Sequence, residues 1–550
     1  MNTPMTRHLA AALAIVIVLV TGACVRQQRF RFVPATSACF PGNAVSAVAA
    51  GAAASASLRP SLDCRHASYS LAFVEFDQDG KVFDRNEEAA AMKLLDRAKA
   101  QAPGGKIITV VYVHGWKNNA AEAAPGGEAK DVERFQSALL ELGFRAQQAA
   151  RGGAPVPVVG VYIGWRGKTL MGPDWYTFIS LWGRRNTANH VGDGPDLAPI
   201  LNRIIEKTNE GTSSSRVLMV GHSFGARVLE HAIETGRVTL YDTVPETGFA
   251  NPRVDLVLYV NSANDARLSA RRVQALRSDH LVVRHPDFDP AECGRPKEDL
   301  DASAKEALAA RCRDYPLLVA VTSRGDLATK YLLPLANTIN SDDSAPLPSP
   351  IAGNEFADAS PSPATFKRWA AGHLPFLQSH EVREIMCPTQ LPSAGQPAEA
   401  GTLETTIEEA AENAVDKALG RVGTAAERRA NAAAAQKQKD AEFQRRLERA
   451  LHPVCEASDK DCRFVFRTLG QQPTCFQVDQ RVPVEGKPPF NTTAFWIMDV
   501  DPVVIKDHGD IWNLSFIEML GQLIAPRGFF EPGGRRIQLR AASAAAAPER

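Results

Sequence analysis

The stretch at residues 217–226 constrains the fold of this chain more than any other, because it reads Val-Leu-Met-Val-Gly-His-Ser-Phe-Gly-Ala. A short β-branched, apolar run leads into Gly-x-Ser-x-Gly, and a helix-favouring run follows at residues 226–235. A serine on such a tight strand-to-helix turn needs glycine two residues before it and two residues after it, because the chain folds back on itself there. Gly221 and Gly225 fill these positions, so Ser223 is predicted to be a functional nucleophile; the alternative is a purely structural turn.

Apolar runs that predict β-strands alternate with helix-favouring stretches over most of the chain. Six of these runs are candidates for core strands: residues 107–113, 158–163, 217–220, 254–260, 317–322 and 495–500. This alternation predicts an α/β fold with a mostly parallel sheet flanked by helices. Ligands of such sheets bind beyond the carboxyl ends of the strands, so the residues that follow each run are the candidates for chemistry.

Ser223 needs partners, because a serine hydroxyl is a poor nucleophile at neutral pH without a histidine base and an acid that orients the ring. Two acids follow predicted strands after the serine, Asp265 and Asp326. His508 lies in a loop-forming context after the last predicted strand and is the leading candidate for the base. Two other histidines, within a segment interpreted below as an insertion, are rival bases: His373 and His380.

Acyl transfer to a serine also needs donors for the oxyanion, usually the backbone N–H after the nucleophile and one from the loop after an earlier strand. Phe224 supplies the first N–H group. The second is predicted to come from Gly115 or Trp116, which follow the strand at residues 107–113. His114, in the same loop, is interpreted as a loop organiser and not as a base.

A family resemblance rests on Val113-His114-Gly115-Trp116, Gly221-His222-Ser223-Phe224-Gly225, Asp326 and His508. Together these residues resemble the α/β hydrolase superfamily, especially its lipase/esterase-like members, over residues 67–340 and 490–525. The resemblance implies that no cofactor is needed and that an acyl group passes to Ser223 and is then hydrolysed. It also implies that His508 moves the proton and that Phe224 and Trp116 hold the oxyanion. Asp326 follows the strand at residues 317–322, where this fold places its acid, so it is favoured over Asp265 as the residue that orients His508.

The amino-terminal residues predict export. Arg7 precedes an uncharged stretch at residues 9–23 that is too short for an ordinary membrane span and runs directly into Cys24. Residues 21–24 resemble a bacterial lipobox, in which the cysteine is lipidated and becomes the mature N-terminus; a plain secretory signal and an uncleaved anchor are the alternatives. Val25 stands where an aspartate would favour retention in the inner membrane, so the resemblance implies an outer-membrane lipoprotein of the cell envelope, facing the periplasm or the surface.

The cysteine content and the net charge further limit the compartment and the partners that are compatible with this chain. Nine cysteines less Cys24 leave eight, an even number that suits disulfides in an oxidising compartment. Proximity along the chain suggests the pairs Cys39–Cys64 and Cys293–Cys312 and leaves four others: Cys387, Cys455, Cys462 and Cys475. A formal net charge of zero does not indicate a nucleic-acid partner, and the spacing of the acidic and histidine residues predicts no metal site.

The predicted organisation has six parts: a signal peptide at 1–23, a tether at 24–66, the first part of an α/β hydrolase core at 67–340, an insertion at 341–485, the last core strand and helix at 486–530, and a disordered tail at 531–550. Within the insertion, residues 403–451 are rich in Ala, Glu, Arg and Gln and lack proline, which predicts exposed helices. These helices form either a solvated arm or an arm that binds a protein partner.

The leading hypothesis is an exported, lipid-anchored serine hydrolase that cleaves carboxylic esters through an acyl-enzyme on Ser223. Its expected partners are an ester or lipid substrate and a membrane, reached through the lipid on Cys24. One alternative is a non-catalytic envelope binding or assembly protein on a hydrolase scaffold. Another is an amidase or peptidase that uses the same triad, because nothing in the sequence separates ester from amide cleavage.

Overall fold

A computed structural model gives the structure of the protein. It describes residues 29–31, 36–39, 64, 67–122, 130–150, 153–167, 181–211, 214–235, 237–242, 249–250, 252–278, 281–284, 292, 314–339, 363–385, 465–467, 475–480, 493–524 and 538–541. The predicted signal peptide with Cys24, the Cys293–Cys312 pair and the predicted helical arm at 403–451 lie outside these ranges.

The strands of the described residues form two sheets of eleven and four strands. The strands are β1 Thr36–Cys39, β2 Tyr69–Phe76, β3 Ile108–Val113, β4 Val158–Trp165, β5 Arg216–His222, β6 Phe249–Ala250, β7 Leu256–Val260, β8 Leu281–Arg284, β9 Asp314–Tyr315, β10 Leu318–Ser323, β11 His380–Ile385, β12 Val465–Arg467, β13 Cys475–Gln480, β14 Phe495–Val500 and β15 Gln538–Ala541. The large sheet has the order β1-β2-β4-β3-β5-β7-β10-β14-β11-β13-β12, and the small sheet has the order β6-β15-β8-β9.

Helices cover both faces of the large sheet. They are α1 Arg85–Gln101, α2 Asp131–Ala149, α3 Leu181–Asp193, α4 Leu197–Asn209, α5 Phe224–Glu234, α6 Ala266–Ser278, α7 Leu333–Ile339, α8 Pro363–Arg368 and α9 Leu514–Ile524. Buried side chains of α1, α4, α5 and α6 form a core on one face, and those of α2 and α9 form a second core on the other. Among the described residues, no helix is both long enough and apolar enough to cross a bilayer.

The prediction of a mostly parallel α/β sheet is confirmed. All pairings from β2 through β4, β3, β5, β7, β10 and β14 to β11 are parallel. Every residue of β3 and β4 is buried, because helices pack on both faces, and continuous apolar runs are typical of strands in that position. The six predicted strands correspond to β3, β4, β5, β7, β10 and β14.

The segment predicted as an insertion, residues 341–485, differs from the expectation because three strands of the large sheet come from it. β11 pairs in parallel with β14, and β13 and β12 extend the sheet in antiparallel fashion. The sequence of β11 is His-Glu-Val-Arg-Glu-Ile, in which apolar and polar residues are mixed. It therefore lacks the continuous apolar run by which the other core strands were predicted.

The predicted tether and tail also contribute to the fold. Within residues 24–66, β1 pairs with β2, and Cys39 forms a disulfide with Cys64, so that the pairing suggested by proximity is confirmed. Within residues 531–550, β15 pairs with β6 and β8. Both strands have only four residues, and each is stabilised by a partner distant in sequence, so composition alone predicted irregular chain.

Candidate active site

Ser223 lies on a strained turn between β5 and α5. Its backbone has φ 57° and ψ −122°, a conformation that residues with a side chain rarely adopt. A Cβ atom at Gly221 would lie 2.6 Å from the Cα atom of Ala226, and a Cβ atom at Gly225 would collide with the carbonyl oxygen of Val113. Both positions therefore require glycine, because the turn packs backbone against backbone.

Ser223, His508 and Asp326 lie in hydrogen-bonding contact, although they are far apart in sequence. The Nε2 atom of His508 is 2.7 Å from the Oγ atom of Ser223, and its Nδ1 atom is 2.9 Å from the Oδ2 atom of Asp326. Ser223 follows β5, Asp326 follows β10 and His508 follows β14, so the carboxyl edge of the parallel sheet collects all three. Such a chain of serine, imidazole and carboxylate activates a hydroxyl for nucleophilic attack.

Asp326 is a carboxylate held by four donors. Its Oδ1 atom accepts the backbone N–H groups of Ala328 at 3.0 Å and Thr329 at 3.1 Å, and its Oδ2 atom accepts the Thr329 hydroxyl at 2.6 Å and His508. Complete burial pushes the pKa of Asp326 upward, but the hydrogen bond and charge of His508 and the bonds from Thr329 outweigh it, so the pKa is lowered. The ionised acid assigns a proton to Nδ1 of His508 and leaves Nε2 free to accept the proton of Ser223.

The two rival bases lie away from the serine hydroxyl. The Nε2 atom of His373 is 2.9 Å from the hydroxyl of Thr329, behind Asp326. Because that hydroxyl donates its only proton to Asp326, His373 is the donor in this contact. His380 stacks on the ring of Trp496 with ring centroids 3.9 Å apart, and burial lowers the pKa of His380 to about 3.

The competing acid has a different partner. The carboxylate of Asp265 binds the guanidinium group of Arg267 through two contacts of 2.7 and 2.9 Å. Both side chains are buried, so the pair is a structural element of the loop after β7. The only acid bonded to His508 among the described residues is Asp326.

Two buried side chains fix the backbone of the His508 loop. The Nε2–H group of His222 donates to the carbonyl oxygen of His508 at 2.7 Å, and the side-chain amide of Asn261 donates to the same oxygen at 3.2 Å. Asn261 also accepts the N–H group of Ser323 at 3.0 Å, so it joins the ends of β7 and β10 to the loop. Burial lowers the pKa of His222 to about 3, which keeps this ring neutral at neutral pH.

The loop after β3 passes directly against the nucleophile. A Cβ atom at Gly115 would lie only 2.9 Å from the Cβ atom of Ser223, so the backbone of residues 115–116 borders the serine. Phe224 is the first residue of α5, and the N–H groups of a first helical turn have no acceptor within the helix. The predicted oxyanion donors, Phe224 with Gly115 or Trp116, therefore lie on the two segments next to Ser223.

His114 organises this loop, as expected from the sequence. It bonds to the carbonyl oxygen of Gly115 at 2.9 Å through Nδ1 and accepts the backbone N–H of Trp165 at 3.0 Å through Nε2. The indole N–H of Trp165 donates in turn to the carbonyl oxygen of His114 at 2.8 Å. Burial lowers the pKa of His114 to about 4, so the ring is a neutral spacer between β3 and β4.

Three residues with a positioning role were not predicted: His222, Asn261 and Thr329. His222 stands inside the Gly-x-Ser-x-Gly motif, but its contact with His508 depends on the folded structure. Asn261 has φ 46° directly after β7, and asparagine is one of the few residues with a side chain that tolerates such a turn. An asparagine directly after a predicted strand was therefore the sequence signal that could have identified Asn261.

Among the described residues, no group of three or more His, Cys, Asp or Glu side chains could hold a metal ion.

Comparison with known proteins adds two distant likenesses. No protein family matches the chain, and no curated protein matches it. An uncharacterized protein from Pseudomonas aeruginosa is 13% identical over 46% of this chain and 41% of its own length, with a TM-score of 0.19, so less than half of that protein is spanned. A lipase-esterase related protein from Clostridium acetobutylicum is 10% identical over 41% of this chain and 78% of its own length, with a TM-score of 0.14. Superpositions this poor define neither the fold nor the function of the chain.

Proposed function

We propose that this protein is a serine hydrolase of the α/β hydrolase type that cleaves carboxylic esters. The observation that carries the proposal is the continuous contact from Ser223 through His508 to Asp326, at 2.7 and 2.9 Å. The strained turn at Ser223 supports it, because strain of this kind is retained where the surrounding structure holds a residue for function. We further propose that the protein is exported, carries a lipid on Cys24 and belongs to the outer membrane, because Val25 stands where an aspartate would favour the inner membrane.

The geometry supports a two-step reaction. Ser223 attacks the ester carbonyl while Nε2 of His508 takes the hydroxyl proton, and Asp326 stabilises the imidazolium that forms. The negative oxygen faces the N–H group of Phe224 and the backbone of the loop at Gly115 and Trp116. His508 then gives its proton to the leaving alcohol, and the same histidine activates the water that releases the acid and frees the serine.

The test is labelling of the purified, signal-free protein with a fluorophosphonate, which reacts with an activated serine. We expect labelling of the parent and its loss in both Ser223→Ala and His508→Ala, with all proteins folded by circular dichroism. Ser262→Ala is a matched control, because the Ser262 hydroxyl has no hydrogen-bond partner among the described residues and lies in the neighbouring loop. A folded parent that resists the probe and hydrolyses no ester would refute the proposal.

A further inference from the structure

Residues 29–31 are bound tightly to the body of the protein, and we call them the N-terminal strap. The backbone N–H groups of Phe30 and Arg31 donate to the carboxylate of Glu75 at 3.0 and 2.7 Å. The guanidinium group of Arg29 binds Glu87 through two contacts of 2.7 and 3.0 Å. Because these partners are buried or nearly so, the strap is anchored at a defined place on the surface.

The strap lies at the edge of the sheet that carries Ser223. The register aligns Val74 with Ile163, Ile163 with Val113 and Val113 with Gly221, so the next residue of β2, Glu75, is level with the next residue of β5, His222. β4 and β3 separate β2 from β5, so the two strands are three spacings of about 4.8 Å, roughly 14 Å, apart. The strap is therefore close to the candidate active site along the carboxyl edge.

The strap also contacts the loop that borders the nucleophile. The Nε atom of Arg31 donates to the carbonyl oxygen of Ala120 at 2.9 Å, and its Nη1 atom is 2.9 Å from the carboxylate of Glu122. Ala120 and Glu122 belong to the same connection after β3 as Gly115. The strap is therefore bound both at the end of β2 and to the loop that borders Ser223.

The distance from the strap to the proposed lipid is short. Cys24 precedes Arg29 by five residues, and five extended residues span at most roughly 18 Å. A lipid on Cys24 therefore stays near the carboxyl edge of the sheet.

A second feature of the same edge is a group of exposed apolar side chains, which we call the apolar patch: Leu327, Tyr331, Leu332, Leu335 and Val503. Leu327, Tyr331 and Leu335 are 63%, 58% and 53% exposed and follow one another at intervals of four residues, so they share one face of the helical segment after Asp326. Val503 lies in the loop that leads to His508. Exposed apolar side chains that are grouped in this way are typical of interaction surfaces.

The strap and the apolar patch lie on opposite sides of Ser223. Along the sheet, β2 with the strap is three strands from β5 in one direction, and β10 with the patch is two strands from β5 in the other. A flat apolar surface that touches the patch and holds the lipid would therefore pass over the carboxyl edge of the sheet, where Ser223 lies. A lipid bilayer is such a surface.

We propose that the protein rests on a lipid bilayer with the carboxyl edge of its sheet facing the membrane, held by the lipid on Cys24 on one side of Ser223 and by the apolar patch on the other. The substrate that this orientation favours is an ester embedded in that bilayer. The substrate class rests on the proposed hydrolase function, whereas the orientation does not.

Photocrosslinking tests the orientation without any catalysis. Benzoylphenylalanine is incorporated in place of Tyr331, or in place of Gln101 as the control, in the full-length Ser223→Ala protein in bacterial membranes. Gln101 is exposed at the end of α1, which runs back to the amino edge of the sheet. We expect phospholipid crosslinks from position 331 and none from position 101. Crosslinks from position 101, no lipid crosslinks at all, or crosslinks from position 331 to a second copy of the chain would overturn the proposal.

The substrate class is tested by a ratio of two activities of the full-length protein: hydrolysis of a long-chain ester in phosphatidylcholine vesicles, divided by hydrolysis of a short water-soluble ester. The loss of two apolar contacts with the bilayer in Tyr331→Ser with Leu335→Ser should lower this ratio on the order of tenfold or more, whereas Gln101→Ser should not change it. An unchanged ratio in the double variant would overturn the assignment of an embedded ester. If neither ester were hydrolysed, the proposed function would fail while the crosslinks would still decide the orientation.

Discussion

Replacement of Ser223 by glycine should leave the protein more stable than replacement by alanine, although both changes remove the nucleophile. The backbone at φ 57° and ψ −122° is disfavoured for any residue with a Cβ atom. Strain of this kind costs of order 1–3 kcal/mol. Glycine relieves it but loses about 0.5–1 kcal/mol through the greater freedom of the unfolded chain. The difference leaves a net gain of about 1 kcal/mol for glycine relative to alanine.

The comparison is Ser223→Gly against Ser223→Ala, because both variants lose the hydroxyl and its bond to His508. Differential scanning calorimetry of the signal-free proteins should show the glycine variant melting about 2 °C higher, since 1 kcal/mol corresponds to roughly that shift in a large domain. Both variants should fail to react with a fluorophosphonate. If the glycine variant melted at or below the temperature of the alanine variant, the turn would not store strain and the reasoning would be wrong.

Three further predictions concern the acid, the strap and the disulfide. Asp326→Asn should lower the turnover of a soluble ester by about 10⁴-fold, because an amide cannot keep the proton on Nδ1 of His508; a loss below tenfold in steady-state kinetics would contradict this role. Burial raises the pKa of Glu75 to about 7 from an ordinary 4.5, so the folded protein holds a proton that the unfolded chain releases, and stability falls as the pH rises through this window. Urea titrations should therefore show that the free energy of unfolding of the wild type, relative to that of Glu75→Gln, falls by about 3 kcal/mol between pH 4.5 and pH 8. If the difference in stability between the two proteins did not change with pH, this prediction would be wrong. Cys64→Ser opens a loop whose ends are 25 residues apart and should lower the free energy of unfolding by about 3.5 kcal/mol in urea titrations, and an unchanged urea midpoint would refute this.

The parts of the fold that could be predicted from the sequence are those whose strands are buried on both faces. β3, with the sequence Ile-Thr-Val-Val-Tyr-Val, could be predicted because a fully buried strand needs an almost continuous apolar run. β11 could not, because Arg383 and Glu384 separate its two apolar residues and its place beside β14 depends on the finished sheet. Local composition also failed for β1 and β15, which are stabilised by distant partners.

The candidate site also has features that could be predicted from the sequence and features that could not. Ser223 has a local signal in its flanking glycines, and Asp326 and His508 could be named because each follows a predicted strand at one edge of the sheet. Their distances could not be predicted, since they depend on the twist of the sheet and the packing of the loops. The bond of Asp265 to Arg267 had a local signal, because a basic residue two positions away was available to it.

β11 and β12 lie at the far side of the large sheet from Ser223, and this position affects how long the connection between them can be. The chain leaves the large sheet at Ile385, the last residue of β11, and returns at Val465, the first residue of β12, and both strands lie beyond β14, on its side away from β5. The end of β10, just before Asp326, is tied separately to the loop that leads to His508, because the Ser323 hydroxyl donates to the carbonyl oxygen of Ile505. Doubling the length of a flexible connection costs only about 0.6 kcal/mol. The length of the chain between Ile385 and Val465 can therefore change, in evolution or by engineering, while the geometry at Ser223 stays the same.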